Sequence, residues 1–323
     1  MPTTKLVAAF DDDVPTTVMS VLKAEHSHGR GILGFLELKD AISLMSVCRE
    51  MMGEVKSFAW NNFNESIPCK PENWLRTFPF TKAVNLSCRH IMGDDELIHL
   101  RNCRSVNISW CPNITDRGFE HLKNVETLIM HGCTTISDAA FQHLKKIRVL
   151  EINHCSQLTN NAFTHLTRLE KLNMTNCVQT TIGDAGIAQL QGLKHLILDE
   201  CCQPTITSRA FEPLASLETL SIAGCVQLTD TAFKYMGSLK NLDMAYCRQT
   251  RITDAAFTNL GNLESLRMSH CSQPQITNRA FMNLTRLKTL NITGCNQDSI
   301  TDDMILRMKN VSVKHTRHIL ATN

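Results

Sequence analysis

The sequence predicts an α/β solenoid in which a curved parallel β-sheet lines the inner side and short helices cover the convex side, behind a small N-terminal helical module. Three observations lead there. The stretch from Val125 to Leu144, VETLIMHGCTTISDAAFQHL, is repeated along the chain with the frame apolar-x-x-Leu-x-apolar-x-x-Cys, then x-x-Ile, then Ser-Asp-x-Ala-Phe-x-x-Leu. Its cysteine slot recurs at Cys111, Cys133, Cys155, Cys177, Cys201, Cys225, Cys247, Cys271 and Cys295, in steps of 22 or 24 residues. Within one unit the period changes. Leu128-Ile129-Met130 alternates with period two, as a strand does, whereas Ala140, Phe141 and Leu144 fall on one side of a helical turn.

A fixed period in the twenties is the signature of a leucine-rich-repeat solenoid, and residues 81–308 hold about ten such repeats. The first is a weaker copy, with Val84 and Leu86 in the strand and Arg89 in the cysteine slot. One unit cannot cover its own apolar face. Stacking is expected to bury Leu on Leu and to align Phe119, Phe141, Phe163, Phe211, Phe233, Phe257 and Phe281 in a column. Thr115-Asp116, Ser137-Asp138, Thr229-Asp230 and Thr253-Asp254 sit where a helix must start, so their side-chain oxygens read as caps for its first N–H groups rather than as catalytic acids.

Composition agrees with this architecture. The 323 residues are 43% hydrophobic, enough for a large core, and a solenoid avoids the size limit of a single globular centre. A net charge of +2 gives no general attraction to nucleic acid or membrane, and neither is expected as a partner. No run approaches the ~18 apolar residues of a membrane helix, and the opening MPTTKLVAAFDDDVP lacks the apolar core of a secretory signal. Nine of the fourteen cysteines occupy one repeated slot where a small buried side chain is wanted, its thiol free to donate weakly to a turn carbonyl. A reducing compartment, cytoplasmic or nuclear, follows. Triplets such as Asn107-Ile108-Ser109 and Asn173-Met174-Thr175 fall on strands, where glycans would block the inner face.

In chain order, residues 1–13 are polar and end in Asp11-Asp12-Asp13, a loose leader. Residues 14–58 carry no trace of the repeat and read as two or three helices, too small to be stable unless docked. Residues 59–80 form a linker and N-terminal cap: Trp60, Phe63, Trp74, Phe78 and Phe80 are placed to seal the open end of the first repeat. Residues 309–323 make a C-terminal cap and tail. Val311 and Val313 start a closing strand, Lys314 stands where another buried Leu would belong, and the stretch from Lys314 to His318 is exposed.

Residues 14–58 resemble an F-box. Phe35-Leu36-Glu37-Leu38-Lys39-Asp40-Ala41, then Leu44, then Val47-Cys48-Arg49, look like that family's second half, and Val14-Pro15 followed by Val18, Val21 and Leu22 is similar to its Leu-Pro opening. Two departures are the extra residues around 23–30 and Met51 in place of a Trp. The repeats independently resemble the cysteine-containing class of leucine-rich repeats, which commonly lie behind an F-box in substrate receptors of cullin-type ubiquitin ligases. The resemblance implies that Pro15, Leu33, Phe35, Leu36, Leu38, Asp40, Leu44 and Val47 dock on the adaptor subunit of such a ligase.

The partner's place is expected on the inner face, from side chains four, two and one positions before the cysteine. The first of these columns reads Asn85, Asn107, Ile129, Glu151, Asn173, Ile197, Ser221, Asp243, Arg267, Asn291; the last reads Cys88, Trp110, Gly132, His154, Asn176, Glu200, Gly224, Tyr246, His270, Gly294. Neither is uniform, whereas the core columns are. Trp110 and Tyr246 are candidate anchors, since exposed Trp, Tyr and Arg are the usual hot-spot residues; the alternative is that each packs over a neighbouring Gly. Glu151, Asp199, Glu200 and Asp243 form an acidic middle stretch suited to a basic ligand, or simply a solvated face. His131, His154, Arg267 and His270 complete the candidate partner-binding set; the histidines lie near cysteines, but there is no Cys-x-x-Cys pair and the thiols face the other way, so neither a metal site nor a Cys-His nucleophile is expected. Gln157, Gln179, Gln203, Gln227, Gln249, Gln273 and Gln297, each two residues past a cysteine, form a rim row that is either a hydrogen-bonded ladder or a partner footprint.

No phosphate loop, paired catalytic carboxylates or Ser-His-Asp set is present, and the chain is expected to be no enzyme and to need no cofactor. The leading expectation is a substrate receptor of a ubiquitin ligase that holds a target protein on the concave face. The alternatives are an interaction scaffold unrelated to ubiquitin, and a regulator of a GTPase or an enzyme inhibitor, for which Arg267 is the support.

Overall fold

In the computed structural model, residues 66–315 are described apart from 68, 202, 249, 250, 296 and 309. The expectations for the leader, for residues 14–58, for Trp60 and Phe63, and for the tail beyond His315 lie outside the described residues. A short helix, α1 (Pro71–Thr77), leads into eleven three-residue strands. They are β1 (Ala83–Asn85), β2 (Ser105–Asn107), β3 (Thr127–Ile129), β4 (Val149–Glu151), β5 (Lys171–Asn173), β6 (His195–Ile197), β7 (Thr219–Ser221), β8 (Asn241–Asp243), β9 (Ser265–Arg267), β10 (Thr289–Asn291) and β11 (Ser312–Lys314). All pair in parallel and in sequence order. Val106, Leu128 and Leu150 are direct neighbours, and so are Asn107, Ile129 and Glu151, so each sequence column is a spatial column.

The convex side carries the expected short helical segments. The connections are mostly 3₁₀ turns, such as Asp116–His121, Asp138–His143 and Asp254–Phe257, and among the described residues α-helix replaces them only at α2 (Asp184–Ile187) and α3 (Asp302–Arg307). A 3₁₀ turn rises ~2.0 Å per residue against ~1.5 Å for an α-helix, so it covers the same height with fewer residues in a short connection. The turns close with i to i+3 bonds, Leu122 N–H to the Phe119 carbonyl and Leu144 N–H to that of Phe141, both 3.0 Å.

The interior is built from the predicted columns. Leu128, Met130, Cys133, Ile136, Phe141 and Leu144 of one repeat are fully buried, and their counterparts along the stack are buried except at the ends, where Arg89, Met308 and Val313 are half-buried. Phe119 and Phe141 lie 6.5 Å apart, as do Phe257 and Phe281, a tilted and a stacked pair. Leu97, Ile187 and Ile305 fill the slots that lack a Phe. At the N-terminal end Trp74 and Phe78 are buried with rings 4.4 Å apart and close the first repeat, but Phe80 is 54% exposed and takes no part in the seal. At the other end Val313 sits opposite Leu290 and Lys314 opposite Asn291. Val313 therefore occupies the buried Leu column, and Lys314 belongs to the inner-face column rather than to the Leu position expected for it.

Two ladders tie neighbouring repeats. Each thiol in the cysteine slot donates to the carbonyl three positions before the slot of the preceding repeat: Cys133 to Ile108 at 3.3 Å, Cys155 to Met130 at 3.0 Å, Cys201 to Met174 at 2.8 Å, Cys271 to Met244 at 2.9 Å. The second ladder uses the Asp of the Thr/Ser-Asp pairs. The hydroxyls of Thr115, Ser137 and Thr253 cap their own turns, accepting from Arg117, Ala139 and Ala255. Thr229 makes no such bond, and its hydroxyl pairs instead with that of Thr231 at 2.8 Å. The carboxylates do something else. Asp116 accepts the N–H of Ser137 at 2.8 Å, Asp138 that of Thr159 at 2.8 Å, and Asp254 that of Thr277 at 2.7 Å, each also taking the hydroxyl of that residue. The Asp thus staples the next repeat instead of capping its own.

Candidate binding surface

The residue before each cysteine slot, the first of which holds Arg89, sits at the outer rim of the concave face, and all ten of these residues, from Cys88 to Gly294, have left-handed backbone with φ between 57° and 74°. The turn requires it. The left-handed residue sends its own N–H to the next repeat, as Trp110 does to the His131 carbonyl at 2.8 Å and Glu200 to that of Ala223 at 2.8 Å, while the following cysteine N–H folds back three residues. Seven of the ten are not glycine: Cys88, Trp110, His154, Asn176, Glu200, Tyr246 and His270.

The three glycines are notches for the preceding side chain. A Cβ on Gly132 would lie 2.2 Å from Trp110, one on Gly224 2.8 Å from the Glu200 carboxylate, and one on Gly294 2.4 Å from the His270 ring. Large rim side chains therefore lean toward the following repeat. Trp110, 47% exposed, lies across Gly132 and reaches His154, with ring centroids 6.0 Å apart. Tyr246, also 47% exposed, stacks on His270 at 4.8 Å and 9°. Each candidate anchor thus packs on a neighbour and still presents about half its surface. Trp110 and Tyr246 are not brought together, standing six strands apart along the sheet.

Of the acidic middle stretch, only part is free of cations. Glu151 is bracketed by His131 at 3.5 Å and Lys171 at 3.2 Å. The His131 bond, opposed by burial and aided by Lys171, holds its carboxyl below the usual carboxylate range. Asp243 pairs with Arg267 at 3.0 Å and also accepts the Ala245 N–H at 2.9 Å. Asp199 accepts from the Ser221 hydroxyl at 2.5 Å and from the Ala223 N–H at 2.9 Å, while Glu200 is exposed. Among the described residues no Lys or Arg pairs with Asp199 or Glu200, so the expected acidic stretch contracts to these two. Arg267, which supported a GTPase regulator, is committed to Asp243.

Several features escaped the sequence reading. Lys171 lies six positions before its cysteine, and the period-two rule that selected the fourth position selects the sixth as well. Val178 and Val226, one position past their cysteines, are 71% and 51% exposed. Seven positions before the cysteine, Arg104, Glu126, Arg148, Glu170, Lys194, Glu218, Lys240, Glu264 and Lys288 alternate in sign. Arg148 and Glu170, Lys240 and Glu218, and Lys288 and Glu264 meet at 2.5–2.7 Å. The glutamine row is not one surface. Gln179 and Gln227 donate to the carbonyls of Cys155 and Cys201, at 3.1 and 3.0 Å, while Gln203, Gln273 and Gln297 are buried and offer nothing to a partner.

Among solved structures the chain is similar in fold to the TLR13–ssRNA13 complex, with 24% identity over 76% of this chain and TM-score 0.60. It spans 38% of that receptor chain. The internalin InlF of Listeria monocytogenes gives 19% identity and TM-score 0.57, over 74% of this chain and 69% of that one. The Toll–Spätzle complex of Drosophila gives 16% and 0.53, over 83% and 44%. No curated protein matches. Residues 98–204 and 180–312 match the BspA type leucine rich repeat region in six copies. With the repeat frame, the parallel ladder and this match together, the chain belongs to the family of BspA-type leucine-rich-repeat proteins.

Proposed function

We propose that this chain is a non-catalytic binding scaffold that holds a protein partner along the concave face and its left-handed rim. The rim composition carries this reading. At ten positions with φ between 57° and 74°, stability alone favours glycine or asparagine, because a Cβ there costs ~1–2 kcal/mol. Trp110, His154, Glu200, Tyr246 and His270 accept that cost and display side chains able to grip a partner. The core columns, by contrast, stay apolar from repeat to repeat.

The test is capture of partners by the full chain, compared with a Trp110→Asn/Tyr246→Asn double variant and with a Lys145→Glu control at an exposed turn position. Asparagine tolerates the left-handed backbone, so folding is preserved. A partner held by wild type and control but lost by the double variant is the expected result. Equal retention by all three would remove the rim from the binding surface.

A finer reading rests on the sequence of residues 14–58. With Pro15, Leu33, Phe35, Leu36, Leu38, Asp40, Leu44 and Val47 in F-box-like order, the chain would be a substrate receptor that docks on the adaptor subunit of a cullin ubiquitin ligase, in cytoplasm or nucleus. The family match covers the repeats and supports the scaffold alone. Purified adaptor should bind the full chain and lose it on Leu36→Asp/Leu44→Asp; a wild-type chain that binds no adaptor leaves only the scaffold.

A further inference from the structure

Resting on the scaffold reading, we propose that the rim takes one extended polypeptide segment, running across the strands, with a basic side chain at Glu200 and an apolar side chain at each aromatic cluster. The centre of the rim is shaped for a lysine or arginine. Asp199 and Glu200 supply carboxylates with no cation of their own among the described residues, and Glu200 lies over the bare backbone of Gly224. In the turns on either side, Val178 and Val226 expose 71% and 51% of their surface. A methylene stem can lie along such apolar walls while its charged head reaches the carboxylates. Paired with Lys171 and Arg267, the flanking Glu151 and Asp243 compete weakly for a cation. At the centre of the rim a nucleic acid is disfavoured, because the charge of Asp199 and Glu200 has the sign of phosphate; the exposed Arg248 lies two repeats away.

Anchor spacing sets the ligand's pattern. Trp110 and Glu200 are four repeats apart and Glu200 and Tyr246 two. At ~4.8 Å per strand these intervals are ~19 Å and ~10 Å, and an extended chain advancing ~3.3 Å per residue covers them in about six and three residues. Trp110 and Glu200 lean the same way over glycines, so the spacing of their heads follows that of their backbones. The segment therefore reads apolar, about five residues, Lys or Arg, about two residues, apolar, from the Trp110 end. The clusters Trp110–His154 and Tyr246–His270 take the apolar ends.

The test is selection of random twelve-residue peptides, displayed on phage, against the full chain and against Glu200→Lys. The variant keeps the backbone cost of a Cβ at φ +58 and alters only the charge. Wild type should enrich peptides with the basic residue at these two spacings, and a synthetic member should weaken at least tenfold when that residue is moved by two positions. Glu200→Lys should select Asp or Glu in its place. The proposal is overturned by no enrichment, by the same basic preference on both proteins, or by single-stranded RNA displacing the peptides. Should it fail while the Trp110→Asn/Tyr246→Asn variant still loses a captured partner, the spacing falls and the scaffold reading stands. Failure of both removes that reading too.

Discussion

Gly132 has φ +64, and the Trp110 ring occupies the space a Cβ would need. Gly132→Ala combines left-handed strain with a clash, and should lower stability by about 1–3 kcal/mol while displacing Trp110. Urea unfolding monitored by tryptophan fluorescence would show both a lower midpoint and a changed native signal; an unchanged midpoint refutes the notch. Glu200 is the opposite case. It forms no ion pair with Lys or Arg among the described residues, so Glu200→Gly removes ~1–2 kcal/mol of left-handed cost against ~0.5–1 kcal/mol of added unfolded-state freedom. Stability should stay level or rise by up to ~1.5 kcal/mol while the acidic focus is lost. That separation of stability from surface chemistry distinguishes a binding residue from a packing one.

Between elements, the staples and thiols determine how firmly one repeat holds the next. Asp138→Ala leaves the Thr159 N–H and hydroxyl without their acceptor and should cost about 1–3 kcal/mol. Asp138→Asn should recover much of this, because Asn160 already holds the Gly183 N–H at 2.9 Å. Equal urea midpoints for the Ala and Asn variants would contradict the staple. The cysteine ladder has its own pH signature. Burial pushes the thiols of Cys133 and Cys155 up from the ordinary 9.0 to about 12. Above pH 9 an unfolded chain releases protons that the folded one keeps, so the ladder's stability is complete below pH 9 and declines from there toward 12. Unfolding midpoints from pH 7.5 to 10.5 should fall, and Cys155→Ala should flatten the slope. At pH 8, exposed Cys88 should alkylate well ahead of the buried thiols.

Over the whole molecule, the alternating charges from Arg104 to Lys288 run along the edge where the chain enters each strand. They are largely exposed, so their value lies in excluding like-charge neighbours more than in any one pair. Glu170→Lys would place three cations in a row with Arg148 and Lys194. The melting temperature should drop at low ionic strength, and the drop should shrink as salt screens it; a salt-independent loss would point to packing instead. Because each repeat touches chiefly its neighbours, such local damage should open the stack at that repeat before its ends respond.

Periodicity alone determined the parallel sheet, the inward Leu, Met, Phe and Cys columns, and which columns vary, because a 22- or 24-residue unit stacked on its own copy leaves one way to bury its apolar stripe. Spacing also placed Trp110 and Tyr246 on the rim, though it held no sign that their column is left-handed. Tertiary structure decided what the polar residues do. The pairings of Glu151 with Lys171, Asp243 with Arg267 and Asp138 with Thr159 join residues 20 to 24 positions apart. A local pattern records that a carboxylate is polar, not toward which neighbouring repeat it turns. That direction emerged only when adjacent repeats were brought to strand spacing, and it left Asp199 and Glu200 as the inner face's one unneutralised acidic pair among the described residues.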